Sequence, residues 1–196
     1  MTADYRLHLP PQPLETAEGE AKRVLEKAHE QVGFIPNMYA NMANAPALLE
    51  TYLDGYERFR NEAGFTPPEQ EVVFLAISRF NGCDYCMSAH SMLGAKVAKL
   101  DEASLQALRA GKPLPDAKLQ ALAVFTEEMV RTRGLPSGEA AERFLAAGFE
   151  ERHILGIVLA LAVKTLSNYA NHLFHTELDP VFLDYMWQAP HGRDAA

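Results

Sequence analysis

Both cysteines of the chain lie in one short stretch, and a histidine follows at helical spacing. Cys83 and Cys86 are three positions apart, and His90 comes four positions after Cys86. On an α-helix, residues at i, i+3 and i+7 project from one side, so the three side chains are predicted to share a face. A base one turn from a thiol is what an activated cysteine needs, because the thiolate is the nucleophile. The spacing therefore indicates thiol redox chemistry.

The flanking residues predict two helices that fold back on each other. Asn81-Gly82 is expected to end the first helix, since glycine adopts the left-handed conformation of a helix C-terminus at little cost. Glu71 lies near the start of that helix, and the fold-back would bring it beside His90, where a carboxylate orients an imidazole and raises its basicity. Which cysteine is the thiolate stays open, because His90 is nearer to Cys86 whereas the start of the second helix favours a negative sulfur on Cys83.

Composition limits the class of protein. Apolar residues make up 48% of the 196 residues, enough to build a hydrophobic core. The net charge of −8 and the lack of a basic cluster exclude nucleic acid as a partner. The N-terminus has no apolar run of signal-peptide length, and the most apolar run, residues 154–163, is about half of a membrane span. A soluble, cytoplasmic protein without a membrane partner is expected.

The periodicity predicts an all-α, multi-helix bundle, with residues 1–196 as a single domain. We expect an extended, proline-rich leader (1–15), a core motif region (66–100) and a poorly ordered tail (189–196). The helix that carries the cysteines is predicted to run from Cys83 to about Ala98, and a long apolar helix from about Glu150 to His172. His153, at the start of that helix, is predicted to lie on the surface. Asn168, His172 and His175 share one face and are expected either to line a site or to form a polar interface stripe.

The motif residues resemble the signature of the alkylhydroperoxidase D and carboxymuconolactone decarboxylase superfamily. That signature is a glutamate followed, twelve positions on, by Cys-x-x-Cys-x-x-x-His, and Glu71, Cys83, Cys86 and His90 match it. The phrase Asn-Gly-Cys-Asp-Tyr-Cys-Met-Ser-Ala-His at 81–90 is similar to the peroxidase-related branch in particular. Residues 35–37 and 165–172 also resemble that branch, so the likeness extends over about residues 30–180.

The resemblance implies a peroxidase cycle on a helical bundle, with a two-helix core hairpin that carries the Cys-x-x-Cys. Cys86 would attack the peroxide oxygen and become a sulfenic acid, and Cys83 would resolve it to a disulfide. His90, supported by Glu71, would deprotonate Cys86 and relay the proton. The activity would be peroxiredoxin-type, free of haem, metal and other cofactors, on hydrogen peroxide or an organic hydroperoxide.

The resemblance also implies partners, and the chain departs from the family at one position. A dithiol reductant of the lipoyl or thioredoxin type is expected, and so is a homo-oligomer, often a trimer or hexamer and sometimes a dimer. The founding members carry a second histidine between the cysteines, where this chain has Tyr85, a far weaker base near neutral pH. Tyr85 is therefore only a weaker candidate for the site. His172, from the polar face of the long apolar helix, is a second weaker candidate.

Several alternatives remain open beside the peroxidase. The four motif residues could ligate zinc, but a structural zinc site usually draws on a second cysteine pair, which this chain lacks. The cysteines could be two small buried hydrophobes, which would make the histidine coincidental. A disulfide reductase of the thioredoxin kind needs strands around the motif, and no strand pattern is present. A non-catalytic dithiol redox sensor, or a decarboxylase or lactone-processing member of the same superfamily, is the remaining alternative.

Overall fold

A computed structural model describes residues 5–189, and this part of the chain is all-α. It confirms the predicted multi-helix bundle. The α-helices are α1 (Gly19–Val32), α2 (Asn37–Met42), α3 (Pro46–Glu62), α4 (Pro67–Phe80), α5 (Asp84–Leu93), α6 (Glu102–Ala110), α7 (Ala117–Arg131), α8 (Gly138–Ala146) and α9 (Glu151–Phe174). A π-helical turn (Gly94–Ala98) follows α5, and a 3-10 helix (Pro180–Tyr185) follows α9.

Helix α4 is the centre of the bundle. Its residues 69–78 are all buried, and it packs against α5, α6, α7 and α9. A helix that is covered on all sides carries apolar residues around its whole circumference, which is why α4 has little amphipathic character. Thr66 and Glu69 form a reciprocal capping box at its start. At its end, Gly82 has a φ of 64° and turns the chain into α5.

The cysteine helix is shorter than predicted. Cys83 is the residue before the first turn of α5, with extended backbone angles, and the α-helix ends at Leu93 rather than near Ala98. The backbone widens into the π-helical turn at Gly94, a residue with low helical propensity. Lys99, in the left-handed conformation at a φ of 58°, closes that turn.

Helix α9 is the second central element. By length and composition it could span a membrane, but half of its apolar window is buried within the protein, as in a core helix. His153, in its first turn, is buried, so the predicted surface position is wrong. Its ring packs between Phe65 and Phe149, with centroids 5.0 and 5.6 Å away. Its Nδ1 accepts the Glu150 N–H at 2.9 Å, so His153 completes the N-terminal cap of α9.

The two ends of the described chain fold onto the bundle. In the predicted leader, the Leu7 N–H donates to the Leu173 carbonyl at 2.8 Å. After α9, Trp187 donates its indole N–H to the Arg109 carbonyl at 2.9 Å. Ala189, the first residue of the predicted tail, donates its N–H to the Asp84 carboxylate at 2.9 Å and is held in place. The rest of that tail, and the first four residues of the leader, lie outside the described residues.

Candidate functional site

The hairpin of α4 and α5 brings Glu71 and His90 into direct contact. Glu71 Oε2 lies 2.9 Å from His90 Nδ1, and both side chains are buried. A carboxylate can only accept, so Nδ1 carries the hydrogen and Nε2 is left as the basic nitrogen. This is the contact that the fold-back was expected to produce, near His90 and away from Cys83.

Arg60, from α3, holds the other oxygen of the same carboxylate. Its guanidinium lies 2.6 Å from Glu71 Oε1 and also donates to the Tyr56 hydroxyl at 2.6 Å. Burial acts to raise the pKa of Glu71, but the hydrogen bonds from His90 and Arg60, together with the positive charge of Arg60, outweigh it and lower the pKa. Glu71 is therefore ionised at neutral pH and fixes the orientation of the imidazole.

His90 is held as a neutral base. Burial lowers its pKa, the positive charge of Lys164 lowers it further, and the opposing influence of Glu71 is smaller. At neutral pH the ring is thus uncharged, and its Nε2 is available to take a proton. His90 lies one helical turn after Cys86, and the two residues line the same cavity.

Helix α9 contributes a second row of polar side chains, which the sequence analysis missed. Lys164, Ser167 and Asn171 stand at i, i+3 and i+7 and face the cysteines. Asn171 Nδ2 lies 3.3 Å from Cys86 Sγ and 3.9 Å from Cys83 Sγ, and Ser167 Oγ lies 3.9 Å from Cys86 Sγ. The same spacing that identified the cysteine face was present in the most apolar helix of the chain and could have identified this one.

Lys164 is the most unusual member of this row. Its side chain is fully buried, and Nζ has no hydrogen-bond partner in the described part of the chain. Nζ lies 5.4 Å from the centre of the Phe74 ring, and the side chain reaches the cavity that Cys86 and His90 line. A buried ammonium without a conventional partner is costly unless a negative group is close to it. The Cys86 sulfur can supply that charge as a thiolate.

The two sulfurs have opposite acidities. Burial alone would raise the pKa of Cys86, but the hydrogen bond from Cys83 and the positive charge of Lys164 hold it well below its usual value. Burial and the neighbouring Cys86 sulfur raise the pKa of Cys83 well above its usual value. The site therefore favours Cys86 as the thiolate and Cys83 as the protonated thiol that donates to it. The helix start does not overcome the burial of Cys83.

The weaker candidates have other surroundings. Tyr85 donates its hydroxyl hydrogen to the Asp179 carboxylate, and burial together with this bond raises its pKa. It is a fixed neutral phenol that anchors the segment after α9, and it does not replace a second basic histidine. His172 is half-buried and stacks loosely on Tyr169, with ring centroids 6.4 Å apart. Asn168, on the same predicted face, accepts from the Asn81 side chain at 2.8 Å and so braces the turn before Cys83.

Two openings flank the cysteine pair. The first, here called the aromatic cavity, has a volume of about 340 Å³. Its walls include Tyr39, Tyr52, Tyr56, Cys86, His90 and Lys164. The second, here called the polar groove, has a similar volume of about 340 Å³. Its walls include Cys83, Asp84, Tyr85, Asn171, His172 and Thr176. Cys86 thus lines a largely apolar opening that also contains the Lys164 side chain, and Cys83 lines a polar opening.

Within residues 5–189, no group of three or more His, Cys, Asp or Glu side chains is arranged to hold a metal ion. Glu71, which a zinc site would need as its fourth ligand, is committed to His90 and Arg60. The arrangement is suited to proton transfer at a thiol.

A protein-family model described as the carboxymuconolactone decarboxylase family matches residues 46–127, a stretch that contains Glu71, both cysteines and His90. No curated protein matches the chain in sequence.

Solved structures match over nearly the whole length. One is an alkylhydroperoxidase AhpD core, an uncharacterized peroxidase-related protein from Ralstonia eutropha, with 18% identity and a TM-score of 0.76 over 89% of this chain and 93% of that one. Another is a peroxidase-related protein from a Silicibacter species, with 22% identity and a TM-score of 0.71 over 92% and 94%. A variant of the debrominase Bmp8 in complex with 2,3,4-tribromopyrrole has 14% identity and a TM-score of 0.70 over 90% and 94%. At these identities the likeness shows the fold.

Proposed function

We propose that this chain is a thiol-dependent peroxidase of the alkylhydroperoxidase D-like and carboxymuconolactone decarboxylase superfamily, which reduces hydrogen peroxide or organic hydroperoxides through Cys83 and Cys86. The family model over residues 46–127 and the fold shared with peroxidase-related proteins support this proposal. The observation that carries this proposal is the arrangement around Cys86: its sulfur lies 3.3 Å from Asn171 Nδ2 and lines one cavity with Lys164 and with His90, which Glu71 holds at 2.9 Å. A low pKa at Cys86 supplies the nucleophile, and a high pKa at Cys83 keeps a protonated thiol beside it. A peroxidase cycle with a resolving cysteine needs both states at once.

The first step is the attack of the Cys86 thiolate on the terminal oxygen of the hydroperoxide. His90 takes the proton from the Cys86 thiol at Nε2, while Glu71 holds its Nδ1 hydrogen. The sulfur–oxygen bond forms as the oxygen–oxygen bond breaks, and the leaving alkoxide takes the proton from His90. The products are a sulfenic acid on Cys86 and an alcohol, or water when the substrate is hydrogen peroxide.

Lys164 supplies a fixed positive charge during this step. It stabilises the thiolate before the attack, and it stabilises the negative charge that develops on the leaving oxygen, since its side chain lines the cavity where the hydroperoxide would bind. Asn171 Nδ2, 3.3 Å from Cys86 Sγ, adds a hydrogen-bond donor to the same sulfur. Preorganised donors of this kind act most strongly in a buried site.

The second step closes the cycle on the protein. The Cys83 thiol attacks the sulfenic sulfur, a disulfide forms, and the hydroxyl leaves as water with the Cys83 proton. A dithiol reductant then restores both thiols. We propose that this happens in the cytoplasm, where such reductants are kept reduced, and that the reductant is of the lipoyl or thioredoxin type.

The number of hydroperoxide equivalents consumed distinguishes a peroxidase from a redox sensor. Supplied with excess dithiothreitol, the protein should consume many equivalents of cumene hydroperoxide, measured by loss of the hydroperoxide. Consumption of a single equivalent would instead indicate a redox sensor. A debrominase has a similar fold, so the fold by itself does not determine which reaction is catalysed. Lactone or decarboxylase activity that survives Cys86→Ser would identify a reaction that does not use the dithiol.

A further inference from the structure

The two sulfurs of the cysteine pair face different openings. Cys86 is part of the wall of the aromatic cavity and Cys83 is part of the wall of the polar groove. Tyr85 contributes to both walls and is held by its hydrogen bond to Asp179, so it stands between them. A molecule in the aromatic cavity can reach Cys86, whereas a molecule in the polar groove can reach Cys83.

Thiol–disulfide exchange favours attack at Cys83. The exchange is faster when the sulfur that leaves is the more acidic one. Cys86 leaves as a thiolate beside Lys164 and the Asn171 amide, whereas burial disfavours a thiolate on Cys83. Attack on Cys86 would instead have to expel Cys83, the poorer leaving group, whose pKa is raised by burial and by the neighbouring sulfur.

The shape and lining of the polar groove indicate what can enter. Cys83 is only 1% exposed, so a thiol on a broad, folded protein surface cannot reach its sulfur, while a slender molecule or a flexible arm can. The side chains of His172, His175 and Thr176 line the groove, so much of its wall is polar. The Asp84 carboxylate also lines it and disfavours anionic thiols.

We propose that the polar groove is the entry site of the thiol reductant, a slender and uncharged dithiol, and that it is separate from the hydroperoxide site in the aromatic cavity. This inference rests on the dithiol cycle proposed above. The first reductant thiol loses its proton to solvent, and the resulting thiolate attacks Cys83 Sγ. The Cys83–Cys86 bond breaks and Cys86 leaves as a thiolate. The second reductant thiol then attacks the reductant sulfur that is bound to Cys83. Its proton goes to Cys83, which is released as a thiol, and the reductant leaves as a cyclic disulfide.

Trapping the mixed disulfide tests which sulfur is attacked. The wild-type protein is oxidised with diamide, exposed briefly to the monothiol 2-mercaptoethanol, quenched with N-ethylmaleimide, and analysed by fragmentation mass spectrometry. We expect the mixed disulfide on Cys83 and the maleimide on Cys86. A mixed disulfide found mainly on Cys86 would overturn the proposal. Because diamide forms the disulfide, the result does not depend on whether the protein reduces peroxides.

Filling each opening tests whether the two routes are separate. Thr176→Phe narrows the groove, and Thr176→Val is its matched control because it removes the same hydroxyl without adding bulk. Ala89→Phe narrows the aromatic cavity, whose wall includes Ala89. Free-thiol counts follow reduction of the diamide-oxidised protein by dithiothreitol and, separately, oxidation of the reduced protein by cumene hydroperoxide.

We expect Thr176→Phe, relative to Thr176→Val, to slow reduction at least tenfold more than it slows oxidation, and Ala89→Phe to show the reverse. Equal slowing of both reactions by each variant would show a shared route and overturn the proposal. A protein that is reduced in the predicted way but is not oxidised by the hydroperoxide would contradict the peroxidase function and leave the groove assignment standing.

Discussion

At the scale of single residues, the reactivity of the site depends on the charge of Lys164. It is the buried cation that, together with the hydrogen bond from Cys83, holds the pKa of Cys86 low. It also helps to keep His90 neutral. Without it, the hydrogen bond from Cys83 would be the main influence left to oppose burial, so the pKa of Cys86 should rise and its thiolate should be less populated at neutral pH.

The change Lys164→Met tests this role with a side chain of similar length and no charge. We expect the pKa of Cys86 to rise towards or above the free-thiol value of about 8.5. The measurement is the rate of Cys86 alkylation by iodoacetamide against pH, with the modified cysteine identified by mass spectrometry. Lys96→Met, at an exposed lysine, is the control. An unchanged pH profile in Lys164→Met would exclude Lys164 as the cause of the low pKa.

Glu71 positions the base, and its removal should affect both rate and stability. Glu71→Gln leaves the partly buried Arg60 without its carboxylate, and because Arg60 keeps its bonds to Tyr56 and Gln70, the cost should fall below about 3–5 kcal/mol, the value seen where a fully buried pair loses one member. His90 loses its orienting partner, so oxidation by cumene hydroperoxide should slow by at least about tenfold, the low end of what general acid–base groups contribute. Stopped-flow oxidation and urea denaturation measure the two effects. A variant that is oxidised at the wild-type rate would contradict the role of Glu71.

The stabilising effect of Glu71 should depend on pH in one direction. Its pKa in the folded protein is lowered below the unfolded value of about 4.3. A lowered pKa contributes stability that is complete above the unfolded value and is lost as the pH falls through the folded value. The difference in unfolding free energy between wild type and Glu71→Gln should therefore narrow in acid. A difference that is the same at pH 7 and in acid would mean that the carboxylate charge is not its source.

At the scale of the helices, starts were predictable where a side chain caps them. Asp101, Asp116 and Ser137 are of the residue types that favour N-cap positions, and each accepts the backbone N–H three residues later. The Glu71–His90 contact followed from the same local signals, because a short turn leaves two helices little choice but to pair. The face that α9 turns to the cysteines was not predictable in this way. The spacing of Lys164, Ser167 and Asn171 marks a polar face of α9, but what that face meets depends on how α9 packs across α3 and α4, and no local pattern encodes that packing.

The packing of α3 on α9 requires a glycine. A Cβ on Gly55, in the middle of α3, would lie 2.9 Å from Val163 Cγ2 on α9. Gly55→Ala should therefore destabilise the protein by about 1–3 kcal/mol, the usual cost of overpacking, although alanine is the better helix former. Urea denaturation measures the change, and adding Val163→Ala should recover part of the loss. A Gly55→Ala protein more stable than wild type would show that the two helices separate at no cost.

At the scale of the whole molecule, α9 presents an apolar stripe on its outer side. Leu155, Val158, Tyr169 and Leu173 are exposed there, and with Ala162 and Thr165 they recur at spacings of three and four. Such a stripe, opposite the row that faces the cysteines, is typical of a helix that pairs with another surface. We propose that it is where copies of the chain associate into the expected homo-oligomer.

Charge on this stripe should break the association. We expect the wild type to sediment as an oligomer and Val158→Glu to sediment as a smaller species, since a carboxylate at the centre of an apolar interface is costly. Leu135→Glu, at a residue that is 80% exposed elsewhere on the protein, is the control. A wild type that stays monomeric at micromolar concentration, or a Val158→Glu variant of unchanged size, would contradict the proposal.

The most direct test of the peroxidase chemistry is the intact mass and free-thiol count of the reduced protein after one equivalent of cumene hydroperoxide, with Cys83→Ser and Cys86→Ser alongside. If Cys86 is the nucleophile and Cys83 resolves it, the wild type loses both thiols, Cys83→Ser gains one oxygen and stops as a sulfenic acid, and Cys86→Ser does not react. If both thiols of the wild type survive, or if Cys86→Ser is the variant that gains the oxygen, that chemistry is wrong.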